Sequence, residues 1–182
     1  MKRTQPTNMI YIAILRGINV SGSKKLPMAE LRTLLSNLNF SDVTTYIQSG
    51  NVVFTSKDKD QEKLGSQISE AIKKQYDYEV PVLVKTIKQW KKAMANNPFT
   101  EEDISKQAIT FLATIPIETT IEIDSKNDQF KIIDSEVYLY FPNGFGRSKL
   151  TNNLFERKLK TQATTRNWRT INKLLEMAAA LE

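Results

Sequence analysis

The 182-residue chain contains no histidine and no cysteine. This excludes Ser-His-Asp and Cys-His nucleophilic catalysis, histidine proton shuttling, and zinc or iron–sulfur sites built on imidazoles and thiolates. Any chemistry is left to Asp, Glu, Lys, Arg, Tyr, Ser or Thr, alone or with a hard oxygen-bound cation such as magnesium. The residues call for no cofactor and offer no metal set. No apolar run approaches the ~18–20 residues of a membrane span. The N-terminus, Met1 to Asn8, is polar and has no signal-peptide core. A cytoplasmic location follows as the default, and the absence of cysteine fits a reducing compartment.

What is present is ordinary in bulk: 40% apolar and 25% charged residues, as in soluble globular proteins. The charge is unevenly spread. Between Arg147 and Lys173 there are eight basic residues (Arg147, Lys149, Arg157, Lys158, Lys160, Arg166, Arg169, Lys173) and one acid, Glu156, so the whole net charge of +6 sits in that stretch. Such asymmetry suits an acidic partner: nucleic acid, a phosphorylated metabolite or an acidic protein. The ending Ala178-Ala179-Ala180-Leu181-Glu182 reads as an expression-vector scar and is set aside from fold reasoning.

Hydrophobic periodicity orders the chain. Met9–Leu15 is continuously apolar, which predicts a central buried strand. Pro27 suits a helix start, and Met28, Leu31, Leu34, Leu35 and Leu38 follow at helical spacing. Val43–Ile47 and Val52–Thr55 read as strands joined by a turn at Gln48-Ser49-Gly50-Asn51. An amphipathic helix spans roughly 60–75, then a strand covers Val80–Val84. The order β-α-β-β-α-β is that of ferredoxin-like folds, and it places the Pro81 strand at an edge, where proline is tolerated.

A helix over 87–95 leads into a turn-rich acidic stretch, 96–103, the candidate linker. Its carboxylates, Glu101, Glu102 and Asp103, read as a solvated run. The second half predicts a strand over 108–114, a short helix over 117–123, a hairpin of 130–133 with 137–141, and helices over 149–159 and 167–177 with Gln162-Ala163-Thr164 extended between them. Tyr46 and Tyr138 fall on strands as packing residues. The fold class is therefore α+β: two related subdomains, 1–97 ferredoxin-like and 98–177 with basic C-terminal helices, followed by 178–182.

Four donor-rich, acid-poor segments separate these elements, where function usually sits. Gly17-Ile18-Asn19-Val20-Ser21-Gly22-Ser23-Lys24 approaches a phosphate-binding loop, but serine occupies the lysine position and Pro27 delays the helix. A looser reading has Gly17 and Gly22 turning backbone N–H groups toward an anion, with Arg16, Lys24 and Lys25 adding charge. The plain alternative is a flexible connection with solvated lysines. Gln48-Ser49-Gly50-Asn51 is a hairpin turn with positive φ at Gly50 or Asn51, whose side chains could also face a ligand. Gly144-Phe145-Gly146-Arg147-Ser148-Lys149 precedes a helix with Ser148 as N-cap, an anion site or an ordinary capped loop. Thr164-Thr165-Arg166-Asn167-Trp168 opens the last helix under a threonine cap. There Arg166, Arg169 and Lys173 fall within about 80° at roughly 100° per residue. That stripe is either a solvated back or a contact surface for phosphates.

Leu15-Arg16-Gly17-Ile18-Asn19-Val20 followed by Met28-Ala29-Glu30-Leu31, then Tyr46-Ile47-Gln48-Ser49-Gly50-Asn51-Val52-Val53-Phe54, resembles the bacterial family known as domain of unknown function 1697. Asn97-Pro98-Phe99, Gly146-Arg147-Ser148-Lys149-Leu150 and Ala163-Thr164-Thr165-Arg166-Asn167-Trp168 continue the resemblance, in order, from about residue 9 to 177. It implies a compact cytosolic bacterial protein of two related α+β subdomains, with the four segments as signature positions. Ser21 departs from it, standing where members often carry glycine. No catalytic role comes with the resemblance.

The residues thus lead to a binding module for a phosphate-bearing ligand, nucleic acid or nucleotide-like. Arg16, Lys25, Arg147, Lys149 and Arg166 are its candidate phosphate contacts; Asn19, Gln48, Asn51 and Asn167 are its candidate hydrogen-bonding residues. The alternatives are an enzyme acting on a small anionic substrate, with Lys or Tyr as acid or base and Arg clamps, and a protein–protein adaptor docking through the basic helix. Catalytic residues and oligomeric state are left open by the residues.

Overall fold

The apolar run at 9–15 and the periodic helix after it reappear as secondary structure in a computed structural model of the protein, which describes residues 7–182. The polar N-terminal segment lies, from Met1 to Pro6, outside the described residues. The chain divides into two units, one reaching to Trp90 and including Lys173–Glu182, the other Lys91–Asn172.

In the first unit the order is β1 (Met9–Leu15), α1 (Met28–Asn37), β2 (Ser41–Tyr46), β3 (Asn51–Ser56), α2 (Gln61–Tyr76) and β4 (Val82–Thr86). The strands form an antiparallel sheet in the order β2-β3-β1-β4. That is the ferredoxin-like arrangement, with β4 at an edge. Strand β1 lies between β3 and β4 and is buried on both faces from Tyr11 to Leu15, which is why its sequence does not alternate. One face carries Tyr11, Ala13, Leu15, Val52, Phe54 and Val84 against Leu31 and Leu35 of α1 and Leu64, Ile68 and Ile72 of α2. Each such side chain contributes about 1.5–3 kcal/mol when fully buried. Asp60 caps α2 by accepting from Lys63 N, and Asp77 ends it in the left-handed region at φ 58°.

Helix α3 (Ile87–Ala95) starts directly from β4. Thr86 Oγ accepts from Gln89 N at 3.2 Å while Gln89 Oε1 accepts from Thr86 N at 2.9 Å. This is a reciprocal capping box, a Thr-x-x-Gln signature that the periodicity did not reveal.

The second unit contains β5 (Gln107–Leu112), β6 (Gln129–Ile133), β7 (Glu136–Tyr140), α4 (Asn152–Leu159), β8 (Ala163–Asn167) and the start of α5 (Trp168–Ala179). Its sheet has the order β6-β7-β5-β8, again antiparallel. Numbered within the unit this is 2-3-1-4, the same order as the first sheet. The repeat lacks one helix: 113–128, where α1 would fall, is irregular. The helix expected over 117–123 is therefore absent. Pro116 and the β-branched run Ile117, Thr119, Thr120, Ile121 and Ile123 disfavour it. Ile121 and Ile123 instead pack on a core of Leu112, Val137, Leu139, Leu150 and Phe155. Upstream, Asn97, Phe99 and Glu102 are hydrogen-bonded to the buried side chain of Gln107.

Two further expectations are corrected near the C-terminus. The helix expected from 149 begins at Asn152, capped by Thr151 rather than Ser148, because Ser148–Thr151 is drawn out to bury Leu150. Residues 163–167 form strand β8, not the opening of the last helix. The cap is Asn167, whose Oδ1 accepts from Thr170 N at 2.9 Å, rather than a threonine. Helix α5 then runs to Ala179, with Ala178 buried.

Candidate functional site

The first two polar segments meet at one end of the first sheet, where β1 ends, β2 turns into β3, and β4 begins. Residues 19–24 form a miniature hairpin. Ser23 N donates to Val20 O and Asn19 N to Lys24 O, around a turn with Ser21 and Gly22 both at positive φ. Asn19 clips this hairpin to the rest of the unit. Its Nδ2 donates to Leu26 O at 2.9 Å and Gln48 O at 2.8 Å, while Leu26 N donates to its Oδ1 at 2.8 Å. Asn51 is wholly buried and donates to Tyr46 O and Ser49 Oγ. Gly50, at φ 84°, is pressed against Leu15 and Ile18.

The two segments adjoin there, and several of their donors are engaged by the fold. The backbone N–H groups of Leu15, Arg16, Asn19, Ser23 and Leu26 all have protein acceptors. Within the segment, the amides of Asn19 and Ser23 close the hairpin on itself and that of Arg16 is held by Pro81 O. Arg16 is half-buried; Lys25 and the side chain of Gln48 are exposed.

In the second unit, Arg166 and the third segment face apart. Arg166 pairs across the sheet with Ile109, in register with Tyr138, whereas α4 packs on the face of Val137, Leu139 and Ala163. Side chains on adjacent positions of a strand point to opposite faces. Burial lowers the Arg166 pKa to about 10, which leaves it cationic at neutral pH. Its Nη1 donates to Thr165 O at 2.9 Å. The basic stripe expected with Arg169 and Lys173 is lost because Arg166 is on a strand, and Lys173 pairs with Glu176 at 2.7 Å. Tyr138 is fully buried and donates to Ala93 O, its hydroxyl pKa pushed up mainly by burial.

Arg147 and Lys149 do come together, in a cleft of about 530 Å³ within the second unit. One wall is the turn Ser125–Asp128, closed by Asp128 N donating to Ser125 O and Ser125 Oγ donating to Asp128 O at 2.7 Å. The other is the connection from β7 to α4, containing Asn143, Gly144, Gly146, Arg147, Ser148 and Lys149. Gly144 takes φ 85° at the turn out of Phe141, and Ser148 Oγ accepts from Leu150 N at 3.0 Å. Lys149 Nζ spans the walls to Asp124 at 3.1 Å; that hydrogen bond holds the Asp124 carboxyl below the usual carboxylate range. Lys126, Arg147 and Lys149 face the cleft against one lining acid, Asp128. Lys126, Asn127, Asp128 and Asn143 were not anticipated. The polar run 124–128, which reads as a plain turn, was the signal for the first three, and Asn143 directly precedes the third segment.

A second cleft, about 570 Å³, lies at the other end of the first unit's sheet. It sits between the entry to β2 (Asn39, Phe40, Ser41) and the exit from β3 (Ser56, Lys57, Asp58). In the repeat this is the equivalent place, since the second unit's cleft lies between the entry to β6 and the exit from β7. It lacks the charge bias: Lys57 is accompanied by Asp58, itself paired with Lys63 at 2.7 Å.

The family model described as "Protein of unknown function (DUF1697)" matches residues 9–138, both sheets' leading strands included. The chain belongs to this family. A solved member of the same fold is similar over nearly its whole length. It is a conserved bacterial protein, SP0830 from Streptococcus pneumoniae, with a TM-score of 0.68 and 22% identity, covering 94% of this chain and 99% of that one. No curated protein matches the chain. Among the described residues no cluster of acids suited to a metal is present, and no helix is long and apolar enough to cross a membrane.

Proposed function

We propose that this protein binds a small phosphate-bearing ligand in the cleft of the second unit. The observation that carries this reading is the gathering of Lys126, Arg147 and Lys149 around one bounded space with a single lining acid. Cations converging on a concave surface focus the field and raise the local concentration of an anion. A space of about 530 Å³ falls within the range of ordinary ligand sites. Arg147 offers a planar fork of donors to phosphate oxygens, and the lysines act as point charges. Among the candidates named from the sequence, Arg147 and Lys149 belong to this site; Arg16, Asn19, Lys25, Gln48 and Asn51 belong to the first unit.

A bounded cleft favours a small molecule over an extended polyanion. Calorimetric titration of the full chain with inorganic phosphate and phosphate esters tests this reading, at low and moderate salt. Arg147→Ala and Lys126→Ala are expected to weaken binding at least tenfold each. Binding untouched by both substitutions, or no binding by any phosphate compound, overturns the assignment.

A further inference from the structure

Resting on that phosphate reading, we infer that the non-phosphate part of the ligand is a polyhydroxylated carbon skeleton, a sugar or polyol phosphate, rather than a nucleoside. The cleft is lined by polar, charged and glycine residues alone; no aromatic or aliphatic side chain faces it. The neighbouring ring, Phe145, is not among the lining residues; it leans on Phe141 with centroids 4.8 Å apart and keeps part of its surface exposed beside the cleft. A nucleobase is normally held by stacking on aromatic or guanidinium planes and by enclosure among apolar side chains. The only such plane here is Arg147, the group best suited to the phosphate.

Hydroxyl groups have what they need. Asp128 supplies carboxylate acceptors, while Asn127 and Asn143 supply amide donors and acceptors, on the two walls. A carboxylate inside a phosphate site makes sense when part of the ligand donates hydrogen bonds, since otherwise it only repels the anion. With Lys126 and Arg147 on the phosphate, and Lys149 shared between it and Asp124, Asp128 and the two asparagines are left for a row of hydroxyls.

Ribose 5-phosphate and AMP separate the possibilities, because they share the phosphate and most of the sugar and differ by the base. With the full chain in titration calorimetry, ribose 5-phosphate, glucose 6-phosphate or glycerol 3-phosphate is expected to bind at least tenfold tighter than both AMP and inorganic phosphate. Asp128→Asn is expected to preserve or strengthen phosphate binding, as a negative charge leaves the cleft, while shrinking the advantage of the sugar phosphate. Asn127→Ala with Asn143→Ala should shrink it by the same logic. If AMP binds as tightly as the best polyol phosphate, the polyol assignment is wrong and the phosphate site stands. If neither phosphate nor any ester binds, or glucose binds as tightly as its phosphate, the phosphate reading itself falls.

Discussion

Replacing Gly50 with alanine tests whether the two polar segments of the first unit are packed as a clasp. A Cβ at position 50 would lie 2.7 Å from Leu15 Cβ and 2.9 Å from Ile18 Cδ1. Ile18 has a flexible end, but Leu15 Cβ is fixed to β1, and Leu15 N donates to Gly50 O at 2.8 Å. The residue is also at φ 84°. A left-handed backbone costs an L-residue about 1–2 kcal/mol, and overpacking in a closed site about 1–3 kcal/mol more. The sum is about 2–5 kcal/mol. Gly22 is the internal comparison: its φ is 76° and a Cβ there meets nothing within 4 Å, so only the first term applies. The assay is urea unfolding of Gly50→Ala beside Gly22→Ala. At a typical slope of about 1–3 kcal/mol per molar, the steric difference amounts to roughly 1 M in midpoint. Equal midpoints at equal slope would show that the clasp is not packed against β1, and would refute the account of Asn19 and Asn51 as structural residues.

Other outcomes follow from the same geometry. Asn19→Ala removes three hydrogen bonds that tie residues 19, 26 and 48 together, and at about 1 kcal/mol each, urea unfolding should show a loss of about 2–4 kcal/mol. Asn167→Ala should cost about 1 kcal/mol as a lost N-cap, measured the same way. For Asp124 the sign runs from the lowered pKa: its pairing with Lys149 is complete above the ordinary carboxylate range and disappears as pH falls through the depressed folded value. NMR titration of the Asp124 carboxyl should show that value rise toward the ordinary range in Lys149→Met, with the smaller lowering by Lys126 retained; an unchanged titration would mean that the pair does not form in solution.

Much of the first unit could be read from its residues, and the reasons are local. The run Met9–Leu15 lies in the middle of a sheet with both faces covered, so continuous hydrophobicity and its structure coincide. Leu31, Leu34 and Leu35 mark the inner side of α1 because burial alone sets their spacing. The order β-α-β-β-α-β then restricts the topology, and the sheet order follows. The second unit was less legible where long-range pairing overrides local pattern. Thr164 and Thr165 could open a helix as well as extend a strand, and the vacant side of β5 decides for the strand. The polar loop residues show a further limit. An asparagine that clips two backbone segments and one that holds a ligand have the same donors and acceptors, so Asn19 and Asn51 are indistinguishable from ligand contacts until their partners are known.

The equivalence of the two sheets explains where a site could arise. Each unit leaves a depression between the segment entering its second strand and the segment leaving its third. In the first unit, α1 and a four-residue connection, 57–60, frame that place, and its charges are balanced. In the second, the helix is replaced by the irregular stretch ending in Ser125–Asp128, and the connection from β7 to α4 lengthens to eleven residues, 141–151. Those two departures are the walls of the cationic cleft. A stretch relieved of helical packing and a connection longer than the turn requires are free to vary without disturbing the strands. Here both place cations and amides on the same depression, whereas the shared core of the repeat supplies only the frame. The two halves differ where the cationic cleft is formed, while the first unit's polar turns close their own sheet end through Asn19 and Asn51.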